Sequence, residues 1–356
     1  MLGFVFRRLA LTICKKRREE FVDEIVAASE FSFDKYDPGS KNRVWVSICA
    51  RAGGGMWCLP VLIVRGQRPG PRLSVLGGIH GDEYDGPEVI YSLFSCLSVE
   101  QLCGTLVMVP VCNVPAYEAC RRLSPVDGAN MARVFPGEVL GSITQQLAYW
   151  VGELFIREAD AVIDIHSGGL AYDMPLLVGC QYGGSNLDKA NVKIARAFSA
   201  PVLWLHPGPI PPGRTLSTAQ AYGVPAIYTE ATGAGGVSSE VLACFVRGVI
   251  NVMRCVGMLN SAIEQNEMPR QLVGGGNLDV MIIAPCAGFV RMEVKLMDAV
   301  VSGQRIGAIY DLVGSEAAPL YANRDGIVIC VRRLRRVDAG DGVCHITGLM
   351  GCSSEI

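Results

Sequence analysis

Three short apolar runs in this chain end alike, in a polar residue followed within a few positions by glycine. Arg72-Leu73-Ser74-Val75-Leu76 leads through Gly77-Gly78-Ile79 to His80-Gly81-Asp82-Glu83. Ala161-Val162-Ile163-Asp164-Ile165 leads to His166-Ser167-Gly168, and Val224-Pro225-Ala226-Ile227-Tyr228-Thr229 leads to Glu230 and a glycine-rich stretch over residues 231–236. Runs of this length and make-up read as buried strands, and glycine lets the backbone leave a strand sharply. Such a repeat predicts an α/β sheet that delivers all three polar ends to one carboxyl-terminal rim, the edge where binding crevices form.

His80, Glu83 and His166 are then candidate metal ligands. Two neutral imidazoles and one carboxylate leave a coordination position open, which reads as a catalytic zinc site, whereas a structural site closes with four ligands, usually thiolates. His-x-x-Glu alone is a weak signal; the strand-then-glycine setting makes it specific. Asp164 lies two residues before His166, on the same strand face, and could orient that ring through its other nitrogen. A backbone-bonded strand-end carboxylate is the equal alternative. Glu230 is the candidate proton shuttle that a hydrolytic site needs. Only four histidines occur, at 80, 166, 206 and 345. His206, in a Pro/Gly-rich loop that could border the pocket, reads as a surface or packing residue, and His345, in a strand-like segment, carries no assigned role.

Between the two metal half-sites runs Arg122-Leu123-Ser124-Pro125-Val126-Asp127-Gly128-Ala129-Asn130-Met131-Ala132-Arg133-Val134-Phe135-Pro136-Gly137. Together with His80-Gly81-Asp82-Glu83, Asp164-Ile165-His166 and Glu230, in that order, it resembles the succinylglutamate desuccinylase/aspartoacylase family, a branch of the zinc carboxypeptidase-like superfamily. The likeness spans roughly residues 55 to 350, and within the family the chain looks most like members that deacetylate N-acetylated diamino acids. The resemblance implies one Zn²⁺ per chain held by His80, Glu83 and His166, with Glu230 as general acid/base. It implies that Arg133 binds the substrate carboxylate and that Arg122 polarises the scissile carbonyl or holds its oxyanion. The expected reaction is hydrolysis of the amide bond of a small N-acyl amino acid by metal-activated water. One departure stands out: the family's Asn before the arginine is Ala132 here. Asn130, Arg121 or Arg214 could make up the missing contact. A second departure, Thr232-Gly233-Ala234 after Glu230, reads as loop variation.

Composition fits such an enzyme. With 356 residues, half of them hydrophobic, and a formal charge of −2, the chain can bury a large core and offers no basic track for nucleic acid. Arg332-Arg333-Leu334-Arg335-Arg336 reads as a solvated strand face. The fourteen cysteines show no C-x-x-C spacing and no signal peptide is evident, so reduced thiols and a cytoplasmic location are expected. The arginine-interrupted apolar stretches of residues 1–18 are too short for a membrane span; a peripheral helix is expected there, with membrane or partner contact as the alternative.

Alternating patterns predict a mixed, mostly parallel sheet flanked by helices. A hairpin is expected over 43–65, helices over 87–97, 142–157 and 238–259, and a strand over 106–111. From about residue 266 the character becomes all-β and resembles a lipoyl/biotinyl-like barrel, without the modified lysine turn and so without attached cofactor. That domain is expected to shape the pocket mouth or an oligomer contact. The organisation read from the sequence is an N-terminal extension at 1–40, a catalytic domain at 41–265 and a β-domain at 266–356. A homo-oligomer is compatible with it. Two other functions share these residues: a zinc carboxypeptidase acting on short peptides, and a non-catalytic small-molecule binder, which would have no need of Glu230.

Overall fold

The computed structural model describes residues 24–264 and 268–349; the peripheral helix expected at 1–18 and the boundary expected at 265 lie outside them. Strands β1 (Glu24–Ala27), β2 (Ser40–Ala50), β3 (Met56–Arg65) and β4 (Arg68–Leu76) come first, followed by α1 (Asp85–Cys96), β5 (Cys103–Val109), α2 (Val114–Glu118) and α3 (Ile143–Val151). Next are β6 (Ala161–Ile165), β7 (Tyr172–Asp173), β8 (Leu177–Tyr182), α4 (Asn186–Phe198), β9 (Val202–Pro207), α5 (Thr215–Tyr222), β10 (Ala226–Glu230), α6 (Ser239–Cys255) and β11 (Arg270–Val273). The remainder is β-structure: β12 (Ile282–Ile283), β13 (Gly288–Met292), β14 (Ala299–Val300), β15 (Arg305–Tyr310), β16 (Glu316–Tyr321), β17 (Gly326–Arg332), β18 (Arg336–Val337) and β19 (Gly342–Leu349).

A mixed sheet runs β1-β2-β3-β5-β4-β6-β10-β8-β9-β11 and continues without a break into β19, β17 and β14. At its centre, β5, β4, β6 and β10 are parallel neighbours. Their sequences are near-continuous apolar runs because helices cover both faces. One apolar layer includes Val89, Leu93, Phe198 and Phe245 of α1, α4 and α6; the opposite layer includes Leu147, Val151 and Phe155. The helix expected over 142–157 is α3 followed by a π-helical turn over Gly152–Ile156. The hairpin expected over 43–65 is the antiparallel β2–β3 pair, and β1 adds to it in parallel, so residues 24–27 belong to the same sheet.

The C-terminal β-region has its own core, with Val290, Ile306, Ile309, Val328 and Ile346 among its members, and a separate four-stranded sheet, β16-β15-β13-β18. It is also bonded into the large sheet, because β19 pairs with β11 and β11 with β9. Trp204 of β9 seals that seam: it is 1% exposed, and its indole N–H donates to Thr347 Oγ1 at 2.9 Å. An indole buried at such a seam removes roughly 150–250 Å² from water. Of the basic cluster, residues 333–336 are exposed, as a solvated face requires, and Arg332 turns inward. Arg332 is buried and donates to Asp341 at 2.8 Å, because β17 lies between β19 and other strands.

Leaving β4, the chain turns at Gly78, whose φ of +59° lies in the left-handed region, and passes the α2 backbone at Gly81. A Cβ at Gly81 would stand 2.0 Å from the carbonyl carbon of Ala116. Gly81→Ala is therefore expected to destabilise the protein by about 2–4 kcal/mol. Gly53→Ala, in an exposed turn where a Cβ meets nothing within 4 Å, should stay within about 0.5 kcal/mol of wild type. Denaturant midpoints compare the two; equal shifts would contradict the close approach.

Candidate active site

Because β4, β6 and β10 lie side by side and parallel, with Leu76 opposite Asp164 and Ile165 opposite Thr229, their carboxyl ends form one rim. His80, His166 and Glu230 all line a cavity of about 190 Å³ at that rim. A larger groove of about 730 Å³, lined by Trp45, Trp57, Tyr91 and Tyr117 among others, shares no residue with this cavity. Size alone does not locate the chemistry.

The centre of the site is the carboxylate of Glu83, 2% exposed. Its Oε1 lies 2.7 Å from His80 Nδ1 and its Oε2 lies 3.0 Å from His166 Nδ1. Arg122 Nη1 donates to Oε1 at 2.9 Å and the Ser167 amide to Oε2 at 3.2 Å. Burial alone would push the Glu83 carboxyl up, yet His80 and His166 beside it hold it well below the usual carboxylate range.

The far side of each imidazole fixes what the near side can be. Asn130 Oδ1 accepts the Ala132 amide at 3.0 Å, which orients that oxygen toward His80 Nε2, 3.1 Å away. Asp164 Oδ2 faces His166 Nε2 at 3.0 Å and also accepts the Thr215 hydroxyl. Each ring therefore donates its Nε2 proton outward, and a neutral ring turns a bare Nδ1 lone pair toward an anion. A lone pair aimed at a buried carboxylate favours a proton or a metal ion between the two. His166 answers with a proton: burial would lower it, but Asp164 and Glu83 hold it well above its ordinary value. Burial and Arg122 lower His80. His80, Glu83 and His166 offer ligand atoms within 4.8 Å of one another, so the three can hold a metal ion. Asp164, left open between two roles by the sequence, stands behind His166.

Glu230 faces the same cavity. Its Oε2 is sealed from solvent and has no hydrogen-bond partner among the described residues. Burial pushes its carboxyl up to about 8; the Glu83 charge adds to the shift, while His166 and Arg122 oppose it. A carboxyl poised there can give and take a proton near neutral pH.

The other residues singled out by sequence are placed as follows. Arg122 lines the cavity but spends one N–H on Glu83. Asn130 supports His80 and caps the turn Met131–Arg133, so its oxygen is not free for a substrate. Arg133 lines the cavity, with its guanidinium gripping Asp279 at 2.7–3.1 Å. Arg214 lines the cavity too, and of the three groups weighed against the loss at Ala132 it is the one that joins Arg133, through Asp279 Oδ2 at 3.1 Å.

Of the readings open for His206, the structure shows a packed residue that borders the cavity, and not a surface one. Strand β9 runs through it to Pro207, leaving it 8% exposed in the cavity wall. Its Nδ1 lies 2.8 Å from the Gly274 carbonyl and its Nε2 lies 2.9 Å from the Tyr228 hydroxyl, so Nδ1–H donates to the carbonyl and Nε2 accepts from Tyr228. Burial lowers its pKa to about 4. Tyr228 was missed by sequence reasoning, although its spacing two residues before Glu230 on one strand face was available to find it. Nothing in the sequence singled out Thr215 or Asp279.

The raised Glu230 pKa has a definite consequence for stability. Unfolded glutamate titrates near about 4.3, so above that pH the unfolded chain loses a proton that the fold retains until about 8. Stability contributed by this group is complete at low pH and lost as pH rises through that window. In the metal-free protein, Glu230→Gln should flatten the fall in melting temperature between about pH 5 and about pH 8. Melts followed by circular dichroism check this; parallel wild-type and variant curves would contradict it.

Residues 69–256 match the family model for the succinylglutamate desuccinylase/aspartoacylase catalytic domain. The chain is 31% identical over 295 residues to an N-alpha-acetyl-L-2,4-diaminobutyric acid deacetylase of Halomonas elongata, covering 82% of this chain and 86% of that protein. Among solved structures, a succinylglutamate desuccinylase/aspartoacylase of Rhodobacter sphaeroides superposes with a TM-score of 0.80 at 27% identity, covering 90% of this chain and 98% of the other. A product-bound ectoine utilization protein of Ruegeria pomeroyi does so with a TM-score of 0.80 at 25% identity, covering 88% and 96%. This chain belongs to the succinylglutamate desuccinylase/aspartoacylase family.

Proposed function

We infer that this protein is a zinc-dependent amidohydrolase that removes the acyl group from a small N-acyl amino acid, with an N-acetylated diamino acid as the leading substrate. The observation that carries this reading is the pairing, in one cavity, of a cation seat with a protonatable carboxyl, Glu230. The Halomonas elongata deacetylase, similar over most of both chains, supports the acetyl group and the diamino acid. A His/Glu/His donor set fits Zn²⁺ before other divalent ions.

A zinc ion at His80, Glu83 and His166 would supply Lewis acidity toward a carbonyl oxygen and toward water. The chain's own residues do the rest. Glu230 takes a proton from the attacking water and returns it to the leaving nitrogen, which breaks the C–N bond and frees a carboxylic acid and an amine. Arg122, with donors left after its bond to Glu83, stabilises charge growing on the carbonyl oxygen. Arg133 and Arg214 give the cavity the positive charge that attracts a carboxylate. Asp164 and Asn130 keep the imidazoles in the ligating tautomer. A cavity of about 190 Å³, lined on one side by residues 275–278, suits a small acyl amino acid better than a peptide.

Amine release from a panel of N-acyl amino acids is expected to be chelator-sensitive and greatest for N-acetylated diamino acids. Faster release of the C-terminal residue from an amine-blocked dipeptide would favour a carboxypeptidase instead. Glu230→Gln should lower turnover by roughly 10²–10⁴-fold with metal content unchanged; retained activity would remove Glu230 from the mechanism. His80→Ala or His166→Ala should lower bound metal and rate together, as measured by elemental analysis, and unchanged stoichiometry would overturn the ligand assignment.

A further inference from the structure

The C-terminal region carries a carboxylate, Asp279, on the turn Leu278–Val280, next to Leu278 of the cavity lining and against two arginines that line the cavity. Arg133 Nε reaches both of its oxygens, at 3.1 and 3.0 Å, and Arg133 Nη2 reaches Oδ1 at 2.7 Å. Arg214 Nη2 reaches Oδ2 at 3.1 Å while also donating to Asn277 Oδ1 at 2.8 Å. These contacts engage both oxygens of the carboxylate, whose side chain is 51% exposed. The hydrogen bond from Arg133 holds the Asp279 carboxyl below its ordinary value.

Two guanidinium charges and one carboxylate leave a single net positive charge on this wall. One incoming carboxylate balances it. A second would find its guanidinium partner already taken and would have to displace Asp279 or lie against it. We propose that Asp279 is a specificity-determining residue that restricts the site to amino acids with one carboxylate and excludes dicarboxylates.

The inference rests on the proposed deacylase function for the kind of molecule bound, but it is a statement about charge selectivity and is measured by binding. Aspartate and 2,4-diaminobutyrate share a carbon skeleton length and differ in the charge of the side group. Calorimetric titration of the full chain with each, as wild type, Asp279→Asn and Asp279→Glu, separates the outcomes. Wild type is expected to bind diaminobutyrate more tightly. Asp279→Asn should shift the affinity ratio toward aspartate by roughly tenfold or more, and Asp279→Glu should retain the wild-type ratio. A purely structural tether between Asp279 and the arginines would change both affinities alike. An unchanged ratio in Asp279→Asn overturns the proposal, as does a wild-type preference for aspartate or a wild type that binds neither. A switched ratio in a chain that hydrolyses no N-acyl amino acid would sustain the proposal and refute the deacylase reading; hydrolysis with an unswitched ratio would do the reverse.

Discussion

A buried carboxylate with two imidazoles aimed at it is the constraint on which the site depends. Glu83 has little solvent to stabilise its charge and compensates with Arg122, the Ser167 amide and the two histidines. A buried charge is tolerated only when paired and hydrogen-bonded. Here the carboxylate and the two Nδ1 atoms lie close enough together to hold a metal ion between them. The supports behind the rings point the same way. Asn130 and Thr215, from segments far apart in sequence, are spent on holding His80 and Asp164 in place.

Glu230 completes the logic by contrast. It shares the cavity with Glu83 but lacks a hydrogen-bond partner for its buried oxygen, so environment drives the two carboxyls in opposite directions. Glu83 is held well below the usual carboxylate range, while the Glu230 carboxyl is pushed up to about 8. In the proposed mechanism, divergent environments of this kind separate the ligand from the acid/base within one pocket.

Much of this was legible in the sequence because it depends on local pattern. Apolar strands that end in His80, His166 and Glu230 beside glycines specify both a parallel sheet and the rim on which those residues meet. The hairpin and the long helices follow from the same periodicities, apart from the π-helical turn after α3. What was not legible depends on contacts across the chain. His206 lies in a Pro/Gly-rich segment that looks like surface loop, yet β9 is covered by β11 and the C-terminal strands, which bury it against Tyr228. Asp279 is 146 residues from Arg133, and no local pattern announces that pairing. The replacement of the family's Asn by Ala132 was visible, whereas its setting, beside a two-arginine wall that carries its own counter-ion, was not.

The seat of the cation is the central claim, and anomalous diffraction at the zinc edge, from crystals grown with zinc, tests it most directly. A single peak within bonding distance of His80 Nδ1, a Glu83 oxygen and His166 Nδ1 is the predicted result. A peak elsewhere, or no peak between those three side chains, would contradict the account of why Glu83 is buried where it is.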